Sequence, residues 1–323
     1  YGVRRLRLYF EKGALFYAEL NIRLLLILLL NKQDFIFAND LDTLPAAFLA
    51  SRLKRKPILY DSHELFTEVP ELVGRPGVQK IWIALEKKIL PHLGEMITVN
   101  QSIAEIFQEK YPLKVSVVRN VPMRLEMIEA HPKSFLGLSE TQAMLIIQGS
   151  GLNVERGIEE SVMAMQQISD AVLFLVGDGD VIPAVKKMVS ELQLESKVRF
   201  VGRIPYHELL RYTAAADLGL ALDKPLSLNY ALALPNKVFD YIQAGTPILA
   251  GPLIEISRLV KTHDCGLILG EVSSFEIARA INKLLNDPQR LTLFSENCKK
   301  AAKVEHWGVD KEILAQVVQR VFI

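Results

Sequence analysis

The chain has 323 residues, 50% of them hydrophobic and 8% aromatic, which is enough for two domains with cores of their own. Its 38 basic and 37 acidic residues leave a net charge of +1. That balance argues against a nucleic-acid binder built on bulk positive charge, and the composition excludes a disordered, collagenous or disulfide-stapled chain. Cys265 and Cys298 stand far apart in sequence without CxxC or Cys/His spacing. Neither a zinc site nor a disulfide framework is signalled, and a reducing, cytoplasmic setting is expected.

The sequence opens on Tyr1 and carries no recognisable cleavable signal, so a natural N-terminus upstream is expected. The most apolar run, Leu24–Leu30, is seven residues long, short of the ~20 that span a bilayer, and is expected as a buried helix segment. Phe35–Phe37, Ile58–Tyr60, Met96–Val99 and Val115–Val118 read as strands. Helical patterns lie between them around Leu44–Leu53, Val78–Leu90 and Ile103–Lys110. Ser102 and Glu105 have capping-box spacing, which places a helix start directly after a strand. Apolar strands separated by helices argue for a parallel sheet covered on both faces.

The stretch from Arg119 to Pro132 breaks this rhythm and reads as an interdomain connection. The pattern restarts with strands at Ala143–Gln148, Ala171–Val176, Val198–Val201, Leu218–Leu222, Pro247–Ala250 and Gly266–Leu269. Helices are expected at Gly157–Gln167, Ile182–Leu192 and, last, Asp310–Val321. Two successive βα arrays predict an α/β chain of two Rossmann-like, doubly wound parallel-sheet domains facing a cleft. The first array has about four strands and is expected to lack its opening βα units.

Ligands of such sheets bind at the carboxyl ends of strands. The loop Gly149-Ser150-Gly151-Leu152-Asn153 through Arg156 and Gly157 follows a strand and opens a helix. Small residues let a backbone approach an anion, and Arg156 carries a charge suited to phosphate; an ordinary glycine turn is the alternative. Gly177-Asp178-Gly179-Asp180 repeats the theme. Asp178/Asp180 and Asp40/Asp42 have DxD spacing, but acidic caps before helices explain them better than a metal. Pro235-Asn236-Lys237 through Asp240 opens a further helix that Gly245 ends. Asn236 and Asp240 share a face there, so Asp240 suits ribose hydroxyls and Lys237 phosphate, or the face is merely solvated. His63 lies among polar residues after a first-array strand and reads as a site residue. The remaining histidines sit in loops or lack polar neighbours, and no hydrolase elbow is present.

Taken together, Tyr60-Asp-Ser-His-Glu64, Gln148-Gly-Ser-Gly151 with Arg156-Gly157, Leu175-Val-Gly-Asp-Gly179, Val198–Gly202 and Pro235-Asn-Lys-Val-Phe-Asp-Tyr241 with Ala244-Gly-Thr-Pro247 are similar in order and spacing to the family 4 retaining glycosyltransferases of the GT-B fold. The resemblance implies a first, acceptor-side domain over 1–123, shortened at its start, with a helix over 306–323 crossing back onto it. It implies a nucleotide-sugar domain over 124–305. It puts Arg156 on the diphosphate, Asp240 on the ribose, Ile204 beside Arg203 near the base, Asn236 and Lys237 near phosphates and sugar, and His63 beside the reacting sugar. The catalytic set is then His63, Arg156 and Asp240. Gly149, Ser150, Gly151, Asn153, Gly177, Gly179, Arg203, Ile204, Tyr230, Asn236 and Lys237 complete the donor site, with no metal and no cofactor beyond the donor substrate. The family's Glu-x7-Glu pattern has Asp240 at its second acid but Leu232 at its first, and Asn229 or Tyr230 is expected to replace the lost contact. Ser150 stands where an arginine is often found.

The implied function is sugar transfer from a nucleotide-diphospho-sugar to a glycan, lipid-linked or small-molecule acceptor, as in polysaccharide biosynthesis. A non-catalytic nucleotide-sugar-binding subunit and a nucleotide-sugar 2-epimerase are the alternatives. A peripheral contact with anionic membrane at the inner face of the plasma membrane is expected through Arg4, Arg5, Arg7 and the cluster Arg52 to Lys56, with a solvated face as the other reading.

Overall fold

A computed structural model describes residues 7–322, which divide into two compact units. The first comprises residues 7–119, 227–229 and 310–322, and the second 120–226 and 230–309. The chain thus leaves the first unit at Arg119, against the expected 123, and returns at Asp310, against the expected 306. Arg4 and Arg5 lie outside the described residues.

In the first unit, β1 (Ile36–Asn39), β2 (Ile58–Ser62), β3 (Glu95–Thr98) and β4 (Lys114–Val117) are parallel and adjacent in that order. The β2–β3 core, Leu59 and Ile97, packs against Val317 of the Trp307–Phe322 helix. Arg119 and Asp310, the two residues at which the chain leaves and re-enters this unit, are bonded to each other. Fully buried Asp310 accepts from the Arg119 main-chain N at 2.7 Å, from Nε at 3.1 Å and from Nη2 at 2.9 Å.

Two expectations are corrected in this unit. The Gln101–Lys110 helix is capped by Asn100, whose side chain accepts from the Ile103 N at 2.9 Å, and Ser102 lies inside the first turn. Asn100 comes directly off β3 with an extended backbone and so occupies the cap first. The Leu24–Leu30 run belongs to a Gly13–Leu30 helix in which no residue is buried, and Leu30 is 84% exposed. It is half-buried and attached by mixed contacts: Tyr17 packs edge-on against Trp82, Asn21 donates to the Asp42 carbonyl at 2.8 Å, and Lys54 donates to the Leu28 carbonyl at 3.0 Å. At 18 residues and a mean hydropathy of 1.8, that helix is long and apolar enough to cross a membrane by length and composition.

In the second unit, β5 (Ala143–Gly149), β6 (Ala171–Gly177), β7 (Val198–Gly202), β8 (Leu218–Ala221), β9 (Ile248–Ala250) and β10 (Gly266–Ile268) form an all-parallel sheet ordered β10-β9-β8-β5-β6-β7. Strands β6 and β8 are buried along almost their whole length because apolar layers cover both faces of the sheet, which is why they read as unbroken apolar runs. Strand order reverses between β5 and β8, and such a switch point opens a crevice at the carboxyl ends. Near the ends of this unit, the Trp307 N donates to the Pro122 carbonyl at 2.8 Å.

One further expectation, that His263 lacks polar neighbours, falls here. His263 has polar company, its Nε2 lying 2.7 Å from Glu305, and buried His131 is 3.0 Å from Glu208. The two cysteines, remote in sequence, are neighbours in the core, where Cys265 and burial push the Cys298 thiol well up.

Candidate functional site

At the carboxyl end of β5 the second unit holds a cavity of about 700 Å³, lined by Gly149, Ser150, Gly151, Arg156, Asn236, Lys237 and Asp240 together with Gln148, Tyr206 and the 120–125 segment. Its size suits a ligand of nucleotide dimensions. Glycines in and beside this lining are dictated by close packing. Gly149 and Gly177 are register partners, and a Cβ on Gly177, at φ 137°, would stand 1.9 Å from the Gly149 carbonyl oxygen. Gly157, at φ 70°, lets the Ile158–Ala164 helix start against the Leu222 carbonyl, 2.6 Å from where its Cβ would be.

That turn delivers Arg156 to the end of β8. Arg156 Nη1 lies 2.9 Å from Asp223 Oδ1, and Lys237 Nζ lies 2.7 Å from Asp223 Oδ2. Lys237 is only 7% exposed, and burying an ammonium requires such a partner. Asp223 therefore holds both cations of the cavity at one point. Lys237 sits in the first turn of the Asn236–Ala244 helix, which starts at Pro235 and stops at Gly245 in the left-handed conformation. That helix is buried from Lys237 to Gln243, so polar residues on it need partners.

Asp240 finds two. Tyr206 donates to its Oδ1 at 2.7 Å and Gln148 to its Oδ2 at 3.0 Å, while Thr213 donates to Gln148 at 2.6 Å. Burial pushes the Asp240 carboxyl above the usual range despite these two donors. Burial and the adjacent Asp240 push the Tyr206 phenol up as well.

The other expected donor residues lie around this lining. Asn153 is within reach of Gly151, and Gly179 packs on the Leu152 backbone. Arg203 is exposed and 3.7 Å from Asp178, and Ile204 packs on the second core layer. Asp178 accepts from the Gly179 N at 2.9 Å and Asp180 from the Val154 N at 3.2 Å, so both acids brace loop backbone. Leu232 is buried. Asn229 groups with the first unit, where it accepts from the Leu65 N at 2.9 Å and donates to Glu64 at 3.2 Å, whereas Tyr230 groups with the second.

His63 also belongs to the first unit, at the carboxyl ends of β1 and β2. Its ring Nε2 is 3.1 Å from Asp61 and its Nδ1 is 3.2 Å from Asp40. Its main-chain N donates to Asp40 at 3.0 Å. Asp40 follows β1 with φ 57°, a left-handed conformation that a non-glycine residue rarely adopts. Among the described residues, no group of three or more acids, histidines and cysteines is arranged to hold a metal.

Sequence reasoning missed Asp223, Tyr206 and Gln148. The signal for Asp223 was its place just beyond β8, at a strand's carboxyl end. Gln148 stood next to the recognised glycine loop.

The strand order and the strand-end cavity define a Rossmann-like, doubly wound class of α/β protein. A family model described as "Glycosyl transferases group 1" matches residues 133–303, more than half of the chain, and the chain belongs to that family. Among curated proteins it is similar to the GDP-mannose-dependent monoacylated alpha-(1-6)-phosphatidylinositol monomannoside mannosyltransferase of Corynebacterium glutamicum, with 25% identity over 219 residues, 65% of this chain and 56% of that protein. It is also similar to the N-acetyl-alpha-D-glucosaminyl L-malate synthase of Bacillus anthracis, with 26% identity over 49% of this chain and 40% of that protein. The matches thus span about half the length of these relatives. Among solved structures, Anabaena HepE in complex with UDP-glucose matches 93% of this chain and 82% of its own at a TM-score of 0.73 and 18% identity. The lipopolysaccharide glycosyltransferase WaaG matches 94% of this chain and 96% of its own at a TM-score of 0.64 and 15% identity. The fold is GT-B.

Proposed function

We propose that this chain transfers a sugar from a nucleotide-diphospho-sugar to an acceptor hydroxyl, with retention at the anomeric carbon. The observation that carries the reading is the convergence of Arg156 and Lys237 on Asp223 in a cavity that also holds Asp240. The two cations are fixed in advance where a departing diphosphate gains negative charge, and preorganised charge of this kind lowers a barrier. Asp240, aimed by Tyr206 and Gln148, offers acceptor oxygens to ribose hydroxyls. In the transfer step the bond from the anomeric carbon to the diphosphate oxygen breaks. The acceptor oxygen bonds to that carbon on the same face, and its proton passes to the leaving diphosphate.

A test follows from the two cations. Arg156→Ala and Lys237→Ala should each weaken nucleoside diphosphate binding by ~1.5–3 kcal/mol, the scale of a charge-assisted hydrogen bond. Binding of the nucleoside alone should hardly change. Calorimetry showing equal losses for both ligands would assign the two side chains to folding instead. Incubation with labelled UDP- and GDP-sugars then separates transfer from isomerisation and from simple binding.

Metal-independent donor binding is part of the proposal, supported by the engagement of Asp178 and Asp180 with loop backbone. EDTA should leave nucleoside diphosphate affinity within about twofold, given that two fixed cations meet the charge instead. A collapse of affinity that magnesium or manganese restores would refute this part.

Acceptors of the lipid-linked kind and a cytoplasmic membrane face are supported by the first unit's surface. Exposed Leu26, Leu30, Leu49 and Leu53 accompany Arg52, Arg55 and Lys56 where the Gly13–Leu30 and Asp40–Lys54 helices end. Apolar and basic side chains on one surface suit an anionic bilayer. The named lipid substrate of the corynebacterial relative agrees with such an acceptor.

A further inference from the structure

We propose that Asp40 and Asp61 hold His63 as a doubly protonated imidazolium, so that His63 enters the strand-end site of the first unit as a fixed cation and not as a base. The proposal rests on the glycosyl-transfer reading for its consequence and on geometry for its substance. The two ring nitrogens each face a carboxylate oxygen, at 3.2 Å for Nδ1 and Asp40 and 3.1 Å for Nε2 and Asp61. A neutral imidazole has one N–H and one lone pair. Either neutral tautomer would therefore set a lone pair against a carboxylate. Only the imidazolium turns an N–H toward both carboxylates, as a hydrogen bond at Nε2 and as a close ion-pair contact at Nδ1.

The clamp is built from two strand ends. Asp61 is part of β2, and Asp40 stands directly after β1. Asp40 uses its second oxygen on the His63 main-chain N at 3.0 Å, gripping backbone and ring together. Its left-handed backbone, φ 57°, is one that Asp and Asn tolerate better than other non-glycine residues. The charged groups around the ring are Asp61, Asp40 and the neighbouring Glu64, all acidic. Partial burial works against the cation, but Asp61 and then Asp40 outweigh it, and His63 titrates above the ordinary histidine value. This interaction is fully present below the unfolded histidine value and is lost as pH rises through the raised folded one.

An imidazolium has no lone pair with which to take a proton from the acceptor hydroxyl. His63 is then an electrostatic group, Asp40 and Asp61 are positioning residues, and His63 itself does not carry the acceptor proton away.

The experiment is nitrogen NMR of the full chain with labelled histidine, the His63 signals being assigned by their loss in His63→Gln. Both ring nitrogens should carry protons at about neutral pH, where an ordinary histidine is mostly neutral. Asp61→Asn and Asp40→Asn should each bring the midpoint back toward the ordinary value. Asparagine keeps the left-handed backbone and the main-chain acceptor at position 40, so a lowered midpoint there reports charge rather than unfolding. Sugar transfer by Asp61→Asn should fall about tenfold above neutral pH and less below it, as the loss of a fixed charge requires. A neutral single tautomer of His63 in the unaltered chain would overturn the proposal. An unchanged midpoint in both variants would overturn it equally. Intact midpoints in a chain that transfers no sugar would uphold the charge assignment and sink the transfer reading, so the two fail separately.

Discussion

Replacing Asp310 with alanine should destabilise the first unit by about 3–5 kcal/mol, the cost of breaking a buried ion pair from one side. Three donors of Arg119 converge on this fully buried carboxylate. Removing it takes the Asp310 acceptor from the Arg119 main-chain N and the Asp310 charge from a guanidinium that is 21% exposed. That partial exposure lets water replace some of the loss, which favours the lower end of the range. Asp310→Asn retains an acceptor for the main chain and should cost roughly half as much. The chain provides its own reporters, since Trp82 lies in the first unit and Trp307 in the second. Urea titration followed through Trp82 in a Trp307→Phe background reads the effect directly. A loss below about 1 kcal/mol would show that the pair behaves like an exposed one.

His63→Ala should reduce kcat for sugar transfer by ~10²–10³ and leave nucleotide affinity nearly unchanged. The cations and the carboxylate proposed for the nucleotide all lie in the second unit, whereas His63 is clamped within the first. A group that acts on developing charge contributes in the transition state more than in the ground state, so kcat carries the loss. Nucleotide affinity by calorimetry and transfer by labelled donor separate the two quantities. Unchanged transfer would reduce His63 to a strand-end structural residue. A large fall in nucleotide affinity would mean that the donor contacts the first unit.

Much of the fold was legible because strands buried on both faces must be apolar throughout. Ala143–Gln148 and Ala171–Val176 were read within one residue of β5 and β6. Strand ends of that kind expose the loops where Arg156, Lys237 and Asp240 stand, and the cavity gathers all three. Asp223 was illegible for a different reason. It lies 67 residues from Arg156 along the chain, and their pairing exists only once β5 and β8 are neighbours. The same holds for Tyr206 and Asp240, 34 residues apart. The Leu24–Leu30 run misled because leucine content reports apolarity and not what covers it. At Asn100 two cap patterns competed within three residues, and backbone extension out of β3 decided between them.

The return of the chain at Asp310 gives the second unit the topology of an insertion. Apart from residues 227–229, everything between Arg119 and Asp310 is a continuous passenger in a discontinuous host. Its two ends are clasped by a hydrogen bond from the Trp307 N to the Pro122 carbonyl. A segment with adjacent ends and a six-stranded sheet of its own is the kind that tolerates excision, grafting and circular permutation. The family-matched stretch, 133–303, falls wholly inside it. The second unit is therefore the natural candidate for grafting: residues 120–309 mark where to cut, and the clasp marks where new ends could be joined.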